Sequence, residues 1–319
     1  MFEITKKVSN AHDDGIWAVS WSADCIATAG MSSRVKTWNT SPANFLTEKK
    51  SFDKHILGVS SLDINIGSKY LATSGLDSHI KIWNLQDNAL FKDIDLLTLS
   101  LSKPINNNNN DNDNDNNIVG TWALAFSPTG EQFVSVSQTG SVNMWITETG
   151  EKRVLQAPNE QRPLMSVAYA PSGKLIATGA SDGTVVVYDI DTGKQVNTFE
   201  CHAMPVRTLC FSPDSKHLFS GSDDSKINIY DPLGQGVIAS LQGHSSWVLS
   251  VRCSKDGNKL ASSSSDRTVK IWDIATKKCD HTFNDHADQV WGVAWSPVDS
   301  SKLISVSDDC SMIVYSIKQ

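Results

Sequence analysis

Apolar and polar side chains alternate along this chain in short runs, and the runs come in sets. WVLSVRC and TVKIW show the pattern most cleanly, and equivalents stand at IWAVSW, VSSLDI, TWALAF, MSVAYA, VRTLCF and VWGVAW. A period of two turns one face of each run toward a packed neighbour and predicts β-strands. A second apolar run follows each of them, such as YLATSG, LIATGA or LFSGS, with turn residues between the two. SKDGN is such a turn, its Asp-Gly pair suited to the positive φ of a tight hairpin. No helical period stands out, so the prediction is all-β.

The sets recur. The aromatics that close them are Trp38, Trp83, Trp145, Tyr188, Tyr230, Trp272 and Tyr315, spaced by 45, 62, 43, 42, 42 and 43 residues. The wide gap holds NNNNNDNDNDNN, residues 106–117, which has no apolar side chain to bury and is expected to be a disordered surface insertion. It lacks the Gly and closing Glu of a calcium loop. A period of 40–45 residues with several short strands per unit resembles the WD40 repeat. That resemblance implies a seven-bladed β-propeller of four-stranded antiparallel blades, one domain over residues 1–319. Only SIKQ follows Tyr315, too little for a fourth strand, whereas FEITKKV precedes the first repeat His. Residues 2–8 are therefore expected to close the last blade and cover its open edge.

Composition narrows the function classes. The net charge is −7, and no basic cluster exceeds KK or EKK, so direct binding to nucleic acid is not expected. No apolar run approaches the roughly 18 residues of a membrane helix, and MFEITKKVSN is not a signal peptide. The six cysteines never form CxxC, and reduced thiols at strand positions are expected. P-loop, dinucleotide and HExxH motifs are absent. His79, His217 and His281 would have to converge from three blades to hold a metal, so no metal or cofactor is expected.

One set of residues invites a catalytic reading. An Asp precedes the closing aromatic by six residues at Asp77, Asp182, Asp224, Asp266 and Asp309, and a hydroxyl stands four residues earlier at Thr73, Thr178, Ser220, Ser262 and Ser305. A His lies 28 or 29 residues before the aromatic at His55, His202, His244 and His286. Ser, His and Asp suggest a hydrolase. A catalytic set is needed once, however, and this one recurs round the ring. In WD-repeat proteins these side chains form a buried hydrogen-bond chain, and the resemblance gives His55–Thr73–Asp77–Trp83 and His244–Ser262–Asp266–Trp272 as complete structural networks. Blade one has Ser32 in place of the Asp, blade four has no His, and blade three has neither. Tyr replaces Trp in blades five and seven, which leaves the last link there open. No catalytic residue is assigned.

Alignment of the first strand of each unit gives one rim-facing position: Trp17, Ser60, Trp122, Met165, Arg207, Leu249 and Trp291. Trp247 belongs to the same mouth. So apolar a rim marks either a partner-binding face, the reading adopted, or side chains that plug the channel. The residue before each repeat Asp is expected on the same face, which brings in Leu76, Asp223 and Asp308. These two carboxylates would pair with a basic residue of a partner.

AHDDGIWAVSW, LDSHIKIWNL, TWALAFSP, CHAMPVRTLCFSPDS, GHSSWVLSV and DHADQVWGVAW together resemble the WD-repeat subunits of the superkiller (Ski) complex, a family also found in the RNA polymerase-associated factor (Paf) complex of animals. The chain departs from that pattern at the Asn tract and at Cys201, where Gly is usual. The resemblance implies a non-enzymatic adaptor in the cytoplasm and nucleus. In the Ski complex its partners would be a tetratricopeptide scaffold and an RNA helicase that feeds mRNA to the exosome. In the Paf complex they would be subunits acting in transcription elongation and histone modification. No homo-oligomer is expected. Two rivals stand beside this reading: a propeller that reads basic histone-type peptides, and a propeller enzyme.

Overall fold

In the computed structural model, which describes residues 2–101, 120–155 and 162–317, the strands form seven four-stranded antiparallel sheets. Six are runs of consecutive strands, over residues 16–52, 59–95, 121–154, 164–200, 206–241 and 248–283. The seventh takes three strands from 290–317 and its outermost from Phe2–Val8. The innermost strand of each blade packs against that of both neighbours, which closes the ring around a channel. The expected seven-bladed propeller is what forms.

The closing strand pairs antiparallel with Met312–Ile317, from Phe2 opposite Ile317 to Val8 opposite Met312, with a bulge between Ile4 and Lys6. Phe2 also stacks on His281 of blade six, with ring centroids 4.4 Å apart. The clasp thus covers an open edge and ties two blades together. Elsewhere each blade presses its face on the next. Val134 and Met144 of blade three, for example, bury with Leu164, Ile176 and Tyr188 of blade four.

The expectation of no helix needs a small correction. A 3-10 turn, Pro42–Asn44, and a short α-helix, Leu96–Leu101, interrupt the strands. The helix forms because Asp95 caps it, accepting the amide N–H groups of Leu97 at 2.9 Å and Thr98 at 3.2 Å. Of the six cysteines, Cys25 and Cys210 are buried while Cys201 and Cys279 are exposed. Among the described residues no helix is long and apolar enough to cross a membrane. The insertion at 106–117 lies outside the described residues.

Candidate partner-binding site

The repeat His, hydroxyl and Asp come together as a linear chain. In blade six Trp272 Nε1 donates to Ser262 Oγ at 2.8 Å, Ser262 meets His244 Nε2 at 2.7 Å, and His244 Nδ1 meets Asp266 at 2.8 Å. Burial holds the His244 imidazole below its usual range despite the Asp266 carboxylate, so the ring is neutral at pH 7. Its Nδ1–H then donates to Asp266 and its Nε2 accepts from Ser262. Asp266 also accepts the Ser245 amide at 3.0 Å, which pins the loop entering the blade. Blade two repeats this through His55 Nε2 to Thr73 at 2.8 Å, His55 Nδ1 to Asp77 at 3.0 Å, and Trp83 Nε1 to Thr73 at 3.0 Å. Ser262 and Thr73 are fully buried, their oxygens taken by an indole N–H on one side and an imidazole on the other. A substrate has no path to either, so the arrangement holds loops rather than attacks bonds.

The variant blades show what each missing member does. In blade five the Tyr230 hydroxyl takes up the last link to Ser220 at 2.9 Å; in blade seven Tyr315 stands 3.4 Å from Ser305. In blade one His12 bridges Thr28 at 2.8 Å and Ser32 at 3.3 Å, so that a hydroxyl takes the place the Asp holds in other blades. Blade four lacks the His, and Arg162 pairs with Asp182 at 2.9 Å instead. There Thr178 Oγ1 and the neighbouring Tyr188 hydroxyl are buried with no hydrogen-bond partner among the described residues. The histidines left over do not converge: His79 pairs with Asp93, His281 stacks on Phe2, and His217 leans on Phe219.

The rim positions do converge. Trp17, Ser60, Trp122, Met165, Arg207, Leu249 and Trp291 line one mouth of the channel together with Leu76. Alternation along each inner strand points them the same way, because every blade enters the ring in the same register. Trp17, Trp122 and Trp291 are half-buried, open to the mouth on one side and to the channel on the other. Leu249 is only 6% exposed and forms floor rather than rim.

A single carboxylate sets the angle of two of the indoles. Trp17 Nε1 donates to Asp308 Oδ1 at 3.2 Å, and Trp291 Nε1 donates to Asp308 Oδ2 at 2.7 Å. Their rings lie 6.1 Å apart at 51°. Burial raises the Asp308 pKa, the two indole N–H groups oppose this, and the Asp288 and Asp14 carboxylates add to it. Gly15 makes room for the arrangement, since a Cβ there would fall 2.3 Å from Asp308 Oδ1. Gly58 does the same for Trp17, whose ring would stand 2.9 Å from an added Cβ.

Asp223 corrects the expectation for that residue. Its side chain is 3% exposed and receives Arg207 as a fork, Nε to Oδ1 at 2.9 Å and Nη2 to Oδ2 at 2.9 Å. The Arg207 guanidinium also lies 5.5 Å from the Trp247 ring centre. Asp223 is therefore occupied within the fold and positions Arg207 and Trp247 for whatever meets the rim. Asp308 is likewise engaged, though by indoles rather than by a cation. Sequence reasoning passed over Met31, which is 56% exposed. It holds in blade one the position that Leu76 holds in blade two, and counting back from Ser32 as from an Asp would have found it.

A repeated closing aromatic, four-stranded blades and a His-anchored loop in most of them define a WD-repeat propeller. Residues 46–84 and 277–316 match the model of the WD domain, G-beta repeat. Residues 121–288 match that of the echinoderm microtubule-associated protein second beta-propeller. The chain is 35% identical over 312 residues to the WD repeat-containing protein SL1-17 of Schistosoma mansoni, covering 96% of each. It is 34% identical over 223 residues to the WD repeat-containing protein VIP3 of Arabidopsis thaliana, covering 63% of this chain and 62% of that one. This chain belongs to the WD-repeat family. A shorter stretch of 95 residues is 53% identical to Superkiller complex protein 8 of Dictyostelium discoideum, covering 30% of this chain and 32% of that protein.

Proposed function

We propose that this protein is a non-enzymatic adaptor subunit of a superkiller-type complex, with its aromatic mouth as the partner-binding face. The observation that carries the reading is the pair of indoles, Trp17 and Trp291, held at the channel mouth by the one carboxylate of Asp308. Fixed, half-exposed aromatics lose little freedom on binding, and they dominate the energy of interfaces. The similarity to Superkiller complex protein 8 supports the kind of assembly. The partners on this reading are a tetratricopeptide scaffold and an RNA helicase, in the cytoplasm. The acidic balance of this chain fits a subunit that leaves RNA to the helicase. Membership of a Paf-type complex in the nucleus, with roles in elongation and histone modification, is part of the same proposal.

One observation favours the second reading, a propeller that reads basic histone-type tails. Asp14 and Asp288 lie close enough to Asp308 to act on its carboxyl, so the mouth has an acidic flank. Affinity purification of the full chain followed by mass spectrometry separates the two. Stoichiometric recovery of a tetratricopeptide protein and a helicase supports the adaptor. Recovery of histones without them overturns it.

A further inference from the structure

Trp122 is held at the mouth by other means than Trp17 and Trp291. Asp308 fixes those two indoles, whereas the Trp122 indole N–H meets no acceptor among the described residues. Trp122 also stands at the end of the longest connection in the ring. Its strand, Thr121–Phe126, follows the outer strand of blade two across residues 96–120, where blades two and six are entered across 53–58 and 242–247. A longer tether constrains its ends less. Blade three also lacks the His and Asp that pin the entering loop elsewhere, as Asp266 does in blade six through the Ser245 amide.

Blade two supplies the hold instead. Ser74 Oγ, fully buried, donates to the Thr121 carbonyl at 2.8 Å and accepts from Ser60 Oγ at 3.1 Å. Ser61 Oγ accepts the Leu124 amide at 3.2 Å, and Asp63 Oδ2 accepts the Phe126 amide at 2.9 Å. The other Asp63 oxygen takes the Ser20 hydroxyl of blade one at 3.1 Å and the Ile64 amide at 2.9 Å, so this carboxylate ties three blades together. The bonded groups of blade three lie on both sides of Trp122 in the strand, and alternation then turns its side chain to the mouth. The contact is not general to the position. Ser263, which holds in blade six the place of Ser74, is buried with no hydrogen-bond partner among the described residues.

We propose that Ser61, Ser74 and Asp63 of blade two are positioning residues for the partner-binding mouth, setting the place of Trp122 from the neighbouring blade. The proposal rests on the reading of this mouth as the partner face. Amide bonds to a carboxylate are charge-assisted, and a buried carbonyl that loses its donor has no water to replace it, so these contacts resist a shift of the strand.

The test uses the full chain labelled with fluorotryptophan, its fluorine NMR signals assigned by Trp17→Phe, Trp122→Phe and Trp291→Phe. Ser74→Ala and Ser61→Ala are each expected to shift or broaden the Trp122 signal while those of Trp17 and Trp291, fixed by Asp308, stay in place. Asp63→Asn should move the Trp122 signal as well, with Trp291 as the fixed reference. A Trp122 signal unmoved in all three variants overturns the proposal. So does movement of the Trp17, Trp122 and Trp291 signals together in Ser74→Ala and Ser61→Ala, since the bonds would then support the whole ring. Binding to the purified tetratricopeptide scaffold gives a second readout. Ser74→Ala should weaken it at least ~threefold in the wild-type background and not at all beside Trp122→Ala. A loss that persists in full beside Trp122→Ala also overturns the proposal. A wild-type chain that does not bind the scaffold refutes the adaptor reading instead, and the fluorine signals still decide what places Trp122.

Discussion

Replacement of Asp266 by Ala is the sharpest probe of the repeat network. Asp266 accepts from His244 Nδ1 at 2.8 Å, from the Ser245 amide at 3.0 Å, and from the Thr268 amide and hydroxyl at 3.0 and 2.7 Å. The Ser245 and Thr268 donors lie near the surface and can turn to water. The His244 side chain is 1% exposed and cannot. Stranding one buried donor costs about 1–3 kcal/mol, and loss of a charge-assisted bond lies at the upper end, so Asp266→Ala is expected to destabilise by about 2–3 kcal/mol. His244→Ala should cost a similar amount by orphaning Ser262 and Asp266. The double variant should fall short of the sum by at least about 0.5 kcal/mol, because both singles break the same chain. Urea denaturation of the four proteins gives all the values. Additive losses would show that the two side chains act independently and refute the network. Unchanged stability with loss of a hydrolytic activity would revive the catalytic reading.

Deleting residues 1–9 opens the edge of blade seven and removes the Phe2 stack on His281, so the melting temperature should drop by many degrees. A deletion variant as stable as the full chain would exclude the clasp as a structural element. Stability should also fall with acid in two stages. Burial and then the Lys36 charge hold His12 down at about 4, so its contribution is complete above pH 6.5 and disappears as pH falls toward 4, a difference of about 3 kcal/mol. Burial pushes Asp77 up, but hydrogen bonds from His55 and the Ile56 amide outweigh it and bring the carboxyl to about 2. Its contribution is present above the usual carboxylate range and goes as pH falls toward 2. A flat urea midpoint between pH 6.5 and 4.5 would contradict the first stage, and His12→Gln should reduce its slope, the remainder coming from His202 and His244, which burial also lowers. Asp223→Asn should destabilise by about 2–3 kcal/mol by leaving Arg207 without its fork. A variant that lost partner affinity at full stability would instead place Asp223 in direct contact with the partner.

The blades were legible because each closes on an aromatic and opens on an alternating strand, so spacing alone aligned seven units. The clasp was legible from counting strands at the two ends. The rim was legible for the same reason, since Trp17, Trp122 and Trp291 share a register. Less visible was how the rim is held. Asp308 binds Trp17 across 291 residues of sequence, and only ring closure brings them together. The Arg207–Asp223 fork depends on side-chain direction within one blade, which a spacing rule does not fix. The helix at Leu96–Leu101 escaped because six residues are too few to show a 3.6-residue period.

The central claim is that the tryptophan mouth binds a tetratricopeptide scaffold while the repeat networks only hold the blades. Affinity and melting temperature measured together for Trp122→Ala and Trp291→Ala test it most directly. Removing one central aromatic costs about 2 kcal/mol, so each variant should bind the purified scaffold at least ~30-fold more weakly and melt close to the wild type. Wild-type affinity accompanied by a large loss of stability would contradict the claim, since the indoles would then be plugs of the channel and the partner would sit elsewhere on the propeller.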